Sequence, residues 1–232
     1  IEVGATDLSG NWSDNNYYWK QDGAPYVVTG SFEGSRSSSD NNWENARSVL
    51  KIESGTIVQF YPNTELFIGK NTGNNGWWGA LQADGVTFTA FDTSDTWGRI
   101  RYYNKSIDDS SYNYIKNSTI EYADDGVYCE SASPTITGTT FRYNEDGIES
   151  DNGSQPFIID NVFTQNARPV FVYSDDIRGT IYSNTYTDNT KNYIEVGATD
   201  LSGNWSDNNY YWKQDGAPYV VTGSFEGSRS SS

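Results

Sequence analysis

Residues 116–150 read KNSTIEYADDGVYCESASPTITGTTFRYNEDGIES. One order of residue types passes through this stretch twice and goes on beyond it. Ile115, Ile136, Ile158 and Ile181 head four segments spaced by 21, 22 and 23 residues. Five residues after each lead stands a bulky apolar residue: Ile120, Phe141, Phe163 and Tyr186. Eight residues after it come Ala123, Asn144, Asn166 and Asn189, and twelve after it Val127, Ile148, Val170 and Tyr193. Four registers that coincide over four segments predict one coil of a solenoid per segment, each coil holding two or three short strands joined by turns.

The rest of the chain has the same texture. Short alternating runs rich in Val, Ile, Thr, Tyr and Phe occupy residues 49–52, 56–60, 65–68 and 86–89, and Asn, Asp, Gly and Ser separate them. Helical periodicity is absent, so the expected class is all-β. The column Asn144, Asn166 and Asn189 fits a turn repeated in register. Asn tolerates the left-handed region, and its amide can bond the same amide one coil away. Cys129 follows Val127 at strand alternation and is expected to point inward as a small hydrophobe.

With these residues in view, the chain resembles the secreted right-handed parallel β-helix repeat proteins of the pectin-lyase-like superfamily. Residues 116–150 carry the resemblance, with LKIESGTIVQF at 50–60, GALQADGVTFTAF at 79–91 and WGRIRYYN at 97–104 similar to the first coils of such repeats. It covers about residues 25–196. It implies a right-handed parallel β-helix, a fold that carries lyases, hydrolases, adhesins and structural spacers alike. The hydrolases of this family pair clustered aspartates with a His and an Arg-Lys motif, and the lyases use calcium-binding acids with an Arg or Lys base. Neither set stands out here, and no catalytic residue is assigned.

A longer period encloses the short one. Residues 1–39 and 194–232 are identical, an offset of 193. We read 1–193 as one full β-helix unit and 194–232 as the start of the next; a cap copied by design is the alternative. Strands beginning near Tyr26, Leu50, Leu81, Ile115, Ile136, Ile158 and Ile181 give about seven coils per unit. At about 4.8 Å per coil a unit advances roughly 34 Å. The identical segments are expected at equivalent positions in successive units, related by that translation with some rotation. Their aromatics, Trp12, Tyr17, Tyr18 and Trp19 with the copies Trp205, Tyr210, Tyr211 and Trp212, are expected to build the junction. With no Met and no leader-like segment, the stretch is expected to be the interior of a longer or processed protein.

Composition narrows the chemistry. The chain has no His, which removes Ser-His-Asp triads and imidazole acid–base catalysis. A single Cys removes disulfide frameworks and Cys metal clusters. The net charge of −16 argues against nucleic acid and anionic membranes as partners. Removing the duplicate's five acids and two bases leaves −13 per unit, so polyanionic substrates would be repelled as well. No apolar run of about 18 residues is present to insert in a bilayer.

The coil register exposes one acidic column. Asp124 and Asp125 stand nine and ten residues after their lead, and Glu145 and Asp146 hold the same places one coil on, followed by Ala167-Arg168 and Thr190-Lys191. Carboxylates on neighbouring coils repel unless compensated. Three resolutions are open: Ca²⁺ held by Asp124, Asp125, Glu145 and Asp146, neutralisation by Arg168, or side chains splayed into water. A glycosidase carboxylate pair is also geometrically open at such spacing. Trp77-Trp78, in a glycine-rich run, reads either as a sugar platform or as a cap under a loop. The five Asn-x-Ser/Thr sequons, at Asn11, Asn104, Asn117, Asn152 and Asn204, are what an Asn-, Ser- and Thr-rich chain contains by chance.

Together these observations point to a structural, non-enzymatic unit of an extracellular or cell-surface filament, stalk or fibre. Its partners are neighbouring identical units, head to tail, with glycans as a further class. A polysaccharide lyase or glycosidase, and a glycan-binding module, are the alternatives.

Overall fold

The computed structural model describes residues 1–4, 16–35, 42–44, 47–70, 77–151, 153–173, 176–177, 180–197, 201–203, 212–223 and 227–229. The described residues wind as a parallel solenoid of three long sheets, and the strands counted below are those among them. Sheet A stacks eight strands: Glu2–Val3, Tyr26–Val28, Ile57–Phe60, Thr87–Ala90, Thr119–Glu121, Thr140–Arg142, Val162–Thr164 and Thr185–Thr187. Sheet B stacks Phe32–Gly34, Leu66–Ile68, Trp97–Tyr102, Ala123–Glu130, Asp146–Asp151, Arg168–Tyr173, Ile194–Gly197 and Tyr219–Val221. Sheet C holds seven, from Asn16–Trp19 through Arg47–Ile52, Trp78–Asp84, Tyr114–Lys116, Thr135–Thr137 and Phe157–Ile159 to Ile181–Tyr182. From Asn16 to Gly197 the chain visits C, A and B in turn; Leu201–Gly203 and Gly227–Arg229 pair in a separate two-stranded sheet, and every strand pair among the described residues is parallel.

The interior is columnar. Ile115, Ile136, Ile158 and Ile181 stack in register on sheet C, each fully buried. Ile120, Phe141, Phe163 and Tyr186 stack on sheet A. Phe141, Phe163 and Tyr186 lie ring over ring at 5.0 and 5.2 Å, a spacing set by the distance between coils. Val127, Ile148 and Val170 form the sheet B column, but its next member is Ile194, not Tyr193. The turn before Ile194 is one residue longer because Asn192 is inserted there. Its side-chain oxygen accepts from Asn189 Nδ2 at 3.0 Å, and its own Nδ2 donates to the Tyr186 carbonyl at 3.3 Å.

Two turns define the corners, and both follow one rule. At the A-to-B corner, Asn166 Oδ1 accepts from the backbone N–H of Asn144 at 3.1 Å and from its Nδ2 at 3.0 Å. Asn189 does the same for Asn166, and Asn144 Oδ1 accepts from Ala123 N–H. Each amide also donates to a carbonyl of an earlier coil, as Asn166 Nδ2 does to Phe141. At the C-to-A corner a second ladder runs through Ser118, Thr139, Asn161 and Asn184. These side chains satisfy corner N–H groups that the sheets leave unpaired and that would be costly to bury alone.

The left-handed residue is not the ladder residue, contrary to the expectation from sequence. It is the one before it: Tyr122, Tyr143, Gln165 and Asp188 at one corner, Asn117, Gly138, Asp160 and Ser183 at the other, all near φ +50 to +60°. The kink turns the chain, and the next residue can then aim its side chain inward along the axis.

Candidate functional site

The outer face of sheet B gathers the charged groups. Asp125, Asp146 and Arg168 are direct neighbours on three successive strands, and Arg99 precedes Asp125. The local fold depends on Gly126 and Gly147. Pairing passes from Arg99↔Asp125 to Ile100↔Val127, so Gly126 is an extra residue on its strand. A Cβ on Gly126 would come within 2.9 Å of the Phe141 ring, and one on Gly147 equally close to Phe163. Glycine there lets the aromatic stack fill the core while the preceding aspartate turns outward.

Arginines on the strands that flank the two acids supply counter-charge. Arg168 grips Asp146 with two bonds, Nε to Oδ1 at 2.7 Å and Nη2 to Oδ2 at 2.5 Å, and Nη2 also reaches Glu149 at 3.1 Å. Arg99 contacts Asp125 closely and lies 3.6 Å from Glu65. Arg101 sits between Glu65 and Glu130. Further along, Lys191 holds Glu195 at 2.8 Å. Aromatic rings flank the guanidinium groups, Phe171 4.2 Å from that of Arg168 and Tyr128 4.7 Å from that of Arg101. Bidentate pairs and stacked guanidinium groups are the geometry Arg favours over Lys.

One oxygen each from Asp125, Asp146 and Glu149 lies within 4.8 Å of the others. Burial, together with the carboxylates of Glu149 and Asp146, outweighs Arg99 and pushes the Asp125 carboxyl up to about 7. Burial raises Glu149 too, against the pull of Arg168. Near neutrality Asp125 thus carries only part of a negative charge.

The four acids singled out from sequence divide. Asp125 and Asp146 are buried side by side in the ion network. Asp124 instead accepts from Thr96 Oγ1 at 2.5 Å, and Glu145 is exposed. Glu149 joins the cluster, where its place one strand from Arg168 went unread in the sequence. The converging carboxylates already face Arg99 and Arg168. A divalent cation would have to displace guanidinium groups from its own ligands, so this donor set fits arginine rather than Ca²⁺.

Of the expected junction aromatics, Trp12, Trp205, Tyr210 and Tyr211 lie outside the described residues. Trp19 is in the core, stacked on Tyr26 at 4.9 Å, with Tyr17 packed beside it and Tyr18 exposed. Trp212 packs against the core next to Tyr219 at 5.1 Å. The second identical segment stacks Ile194 and Val196 on Val170 and Val172 and adds polar contacts to the coil before it. Asp215 accepts from the Asn184 backbone N–H at 2.7 Å, from Asn184 Nδ2 at 2.8 Å and from the Tyr186 hydroxyl at 2.8 Å. It thereby continues the C-to-A asparagine ladder. The Lys213 ammonium lies 3.7 Å over the Tyr182 ring. This ladder stands three residues after the leads, but Ser, Thr, Asn and Asp share the position, so residue identity hid it. Trp77 and Trp78 are half-buried under the ammonium groups of Lys70 and Lys105, and Trp78 packs on a small satellite cluster. Cys129 is fully buried, and burial pushes its thiol far up.

Parallel coils, three sheets, a columnar core and asparagine-laddered corners define the class of parallel β-helix proteins. The family model for the right-handed β-helix region matches residues 81–228, and the chain belongs to that family. No curated protein and no solved structure matches it.

Proposed function

We propose that the chain is a stretch of an extracellular, non-catalytic fibre built from tandem β-helix units of 193 residues, each unit seated directly on the last coil of the one before. The observation that carries this reading is the behaviour of the identical segments. Glu2 pairs Val27 as Glu195 pairs Val220. The Tyr26 hydroxyl donates to the Lys20 carbonyl at 3.1 Å, and Tyr219 donates to Lys213 at 3.1 Å. Thr29 N–H donates to Val3 at 2.9 Å, and Thr222 N–H to Val196 at 3.0 Å. The same strand pair therefore forms at both places, and the second copy is bonded in register to strand Arg168–Tyr173. Solenoid edges that meet in this way leave no open edge between units. Identical head-to-tail contacts propagate without closing. Electron micrographs of the native material should show an unbranched rod with an axial repeat of about 35 Å. Globular beads on thin linkers would refute the reading.

One observation favours a second reading, cleavage of a glycosidic bond. Asp125, raised to about 7, stands beside Asp146 and Glu149, and general acids need such tuning. Against it, Arg99 and Arg168 are committed to those carboxylates. Release of reducing or unsaturated sugar ends from anionic or neutral glycans, lost in Asp125→Asn, would favour the enzyme.

A further inference from the structure

Tyr122 and Tyr143 hold the left-handed place at the A-to-B corner, at φ 58° and 59°. That conformation costs a bulky residue about 1 kcal/mol. The fold does not require a ring there. Later coils place Gln165 and Asp188 at the same position, and the other corner uses Asn117, Gly138, Asp160 and Ser183. The two rings are direct neighbours. Glu121 pairs Arg142, so the residues that follow them stand one coil apart. Their centroids are 5.2 Å apart, with 14° between the planes. The next residues are bonded to each other, Ala123 N–H to Asn144 Oδ1 at 3.0 Å, which pins both backbones. Tyr122 is half-buried and Tyr143 is 40% exposed, so the pair is open to reagents from solvent. Two coils earlier the same corner holds a second exposed pair, Tyr61 and Phe91 at 4.8 Å, in which one ring has no hydroxyl.

Other oxidisable side chains are scarce. The chain has no Met and no His, and Cys129 is fully buried. An oxidant at the surface therefore meets aromatic side chains first. We propose that Tyr122 and Tyr143 form a site of oxidative coupling, a dityrosine that ties two successive coils in a chain with a single Cys. The oxidant is hydrogen peroxide, used by a peroxidase. Each phenol gives up one electron and its hydroxyl proton, and the peroxide is reduced to two waters. The two phenoxyl radicals join through the ring carbons beside their oxygens. The hydrogen on each of those carbons then moves to the oxygen, which restores both aromatic rings. The protein loses two hydrogen atoms in all. Rings held this close react with each other ahead of rings on other molecules. The new bond closes the chain between residues 122 and 143, and a cross-link of that kind restricts the unfolded state.

The test treats the 232-residue protein with peroxidase and dilute hydrogen peroxide, then separates monomer from cross-linked multimers. The monomer should gain dityrosine fluorescence. Peptide mass spectrometry should find Tyr122 joined to Tyr143 with two hydrogens lost. Tyr143→Phe keeps the stacked ring and should lose the monomer signal. Phe91→Tyr completes the earlier pair and should add a second bridge, to Tyr61. The coupled monomer should unfold at a higher urea concentration than the untreated protein. Monomer that stays free of dityrosine, or a signal that survives Tyr143→Phe, would overturn the site. Coupling with no gain in urea resistance would overturn its part as a tie between coils. All of these readouts are made on the monomer, so they are independent of fibre formation.

Discussion

Asn166 shows how one residue carries a corner. It accepts two hydrogen bonds from Asn144 and donates to Phe141 and Asn189, all in the buried interior. An alanine there removes the acceptor of the Asn144 backbone N–H and the side-chain donor to the Phe141 carbonyl, and leaves the Asn144 amide with only its bond to Ile120. Each unmet buried group costs about 1–3 kcal/mol, with some relief from relaxation and water. Asn166→Ala should therefore lose about 3 kcal/mol in urea unfolding, and Asn166→Asp, which cannot donate and adds a buried charge, should lose more. The preceding Gln165 holds φ at 57°, a conformation that costs a non-glycine residue about 1 kcal/mol. The ladder's hydrogen bonds offset that strain. The asparagine column was readable because Asn recurs at one register. The left-handed residues were not, because Tyr, Gln and Asp share no signature beyond their place before it.

At the scale of the element, sheet B is a ladder of charge as much as of hydrogen bonds. Its outward side chains run Arg99, Asp125, Asp146 and Arg168 across four strands. Burial of Asp125 beside Glu149 and Asp146 sets a pH dependence. The folded Asp125 carboxyl, at about 7, lies above the unfolded value of about 3.9. Between those limits the folded state holds a proton that the unfolded state has released. Stability from this group is thus greatest below about pH 4 and falls as pH rises towards 7, by at most about 1.4 kcal/mol per unit. Asp125→Asn removes the titration. Its stability relative to the parent should rise by about 2 kcal/mol from pH 5 to pH 7.5, read from denaturation curves at each pH. A constant difference would mean that Arg99 fully compensates the charge. The sequence register placed Asp125, Asp146 and Arg168 in one column. Which acid of each pair enters the network depends on the extra residue at Gly126, a feature of the folded strand pair that the register left open.

For the whole molecule, the junction is the feature that separates a fibre from a set of independent domains. It is held by the ladder between Arg168–Tyr173 and Ile194–Gly197, by the buried Ile194 and Val196, and by the hydrogen bonds of Asp215 to the preceding coil. Gly216→Ala forces a Cβ against the Asn184 carbonyl and should unseat the second copy locally. Hydrogen exchange at residues 212–221 should speed up by an order of magnitude or more, which corresponds to at least about 1.4 kcal/mol. Residues 115–187 should keep their protection, because their coils are stabilised by their own columns. Loss of protection throughout would show that the coils depend on the junction to fold.

The chain alone determined the solenoid, its coil length, the buried columns of Ile and Phe, the asparagine ladder at one corner and the 193-residue repeat. Each of these is written as the same residue type at a fixed spacing, and stacking turns fixed spacing into contact. Only the tertiary structure decided the second ladder, the pairing of each acid with its arginine, the place of Ile194 in its column, and the face on which the repeated strand pair lands. Those depend on the number of residues spent in each turn and on side chains meeting across strands, so a difference of one residue moves the outcome from one face to the next.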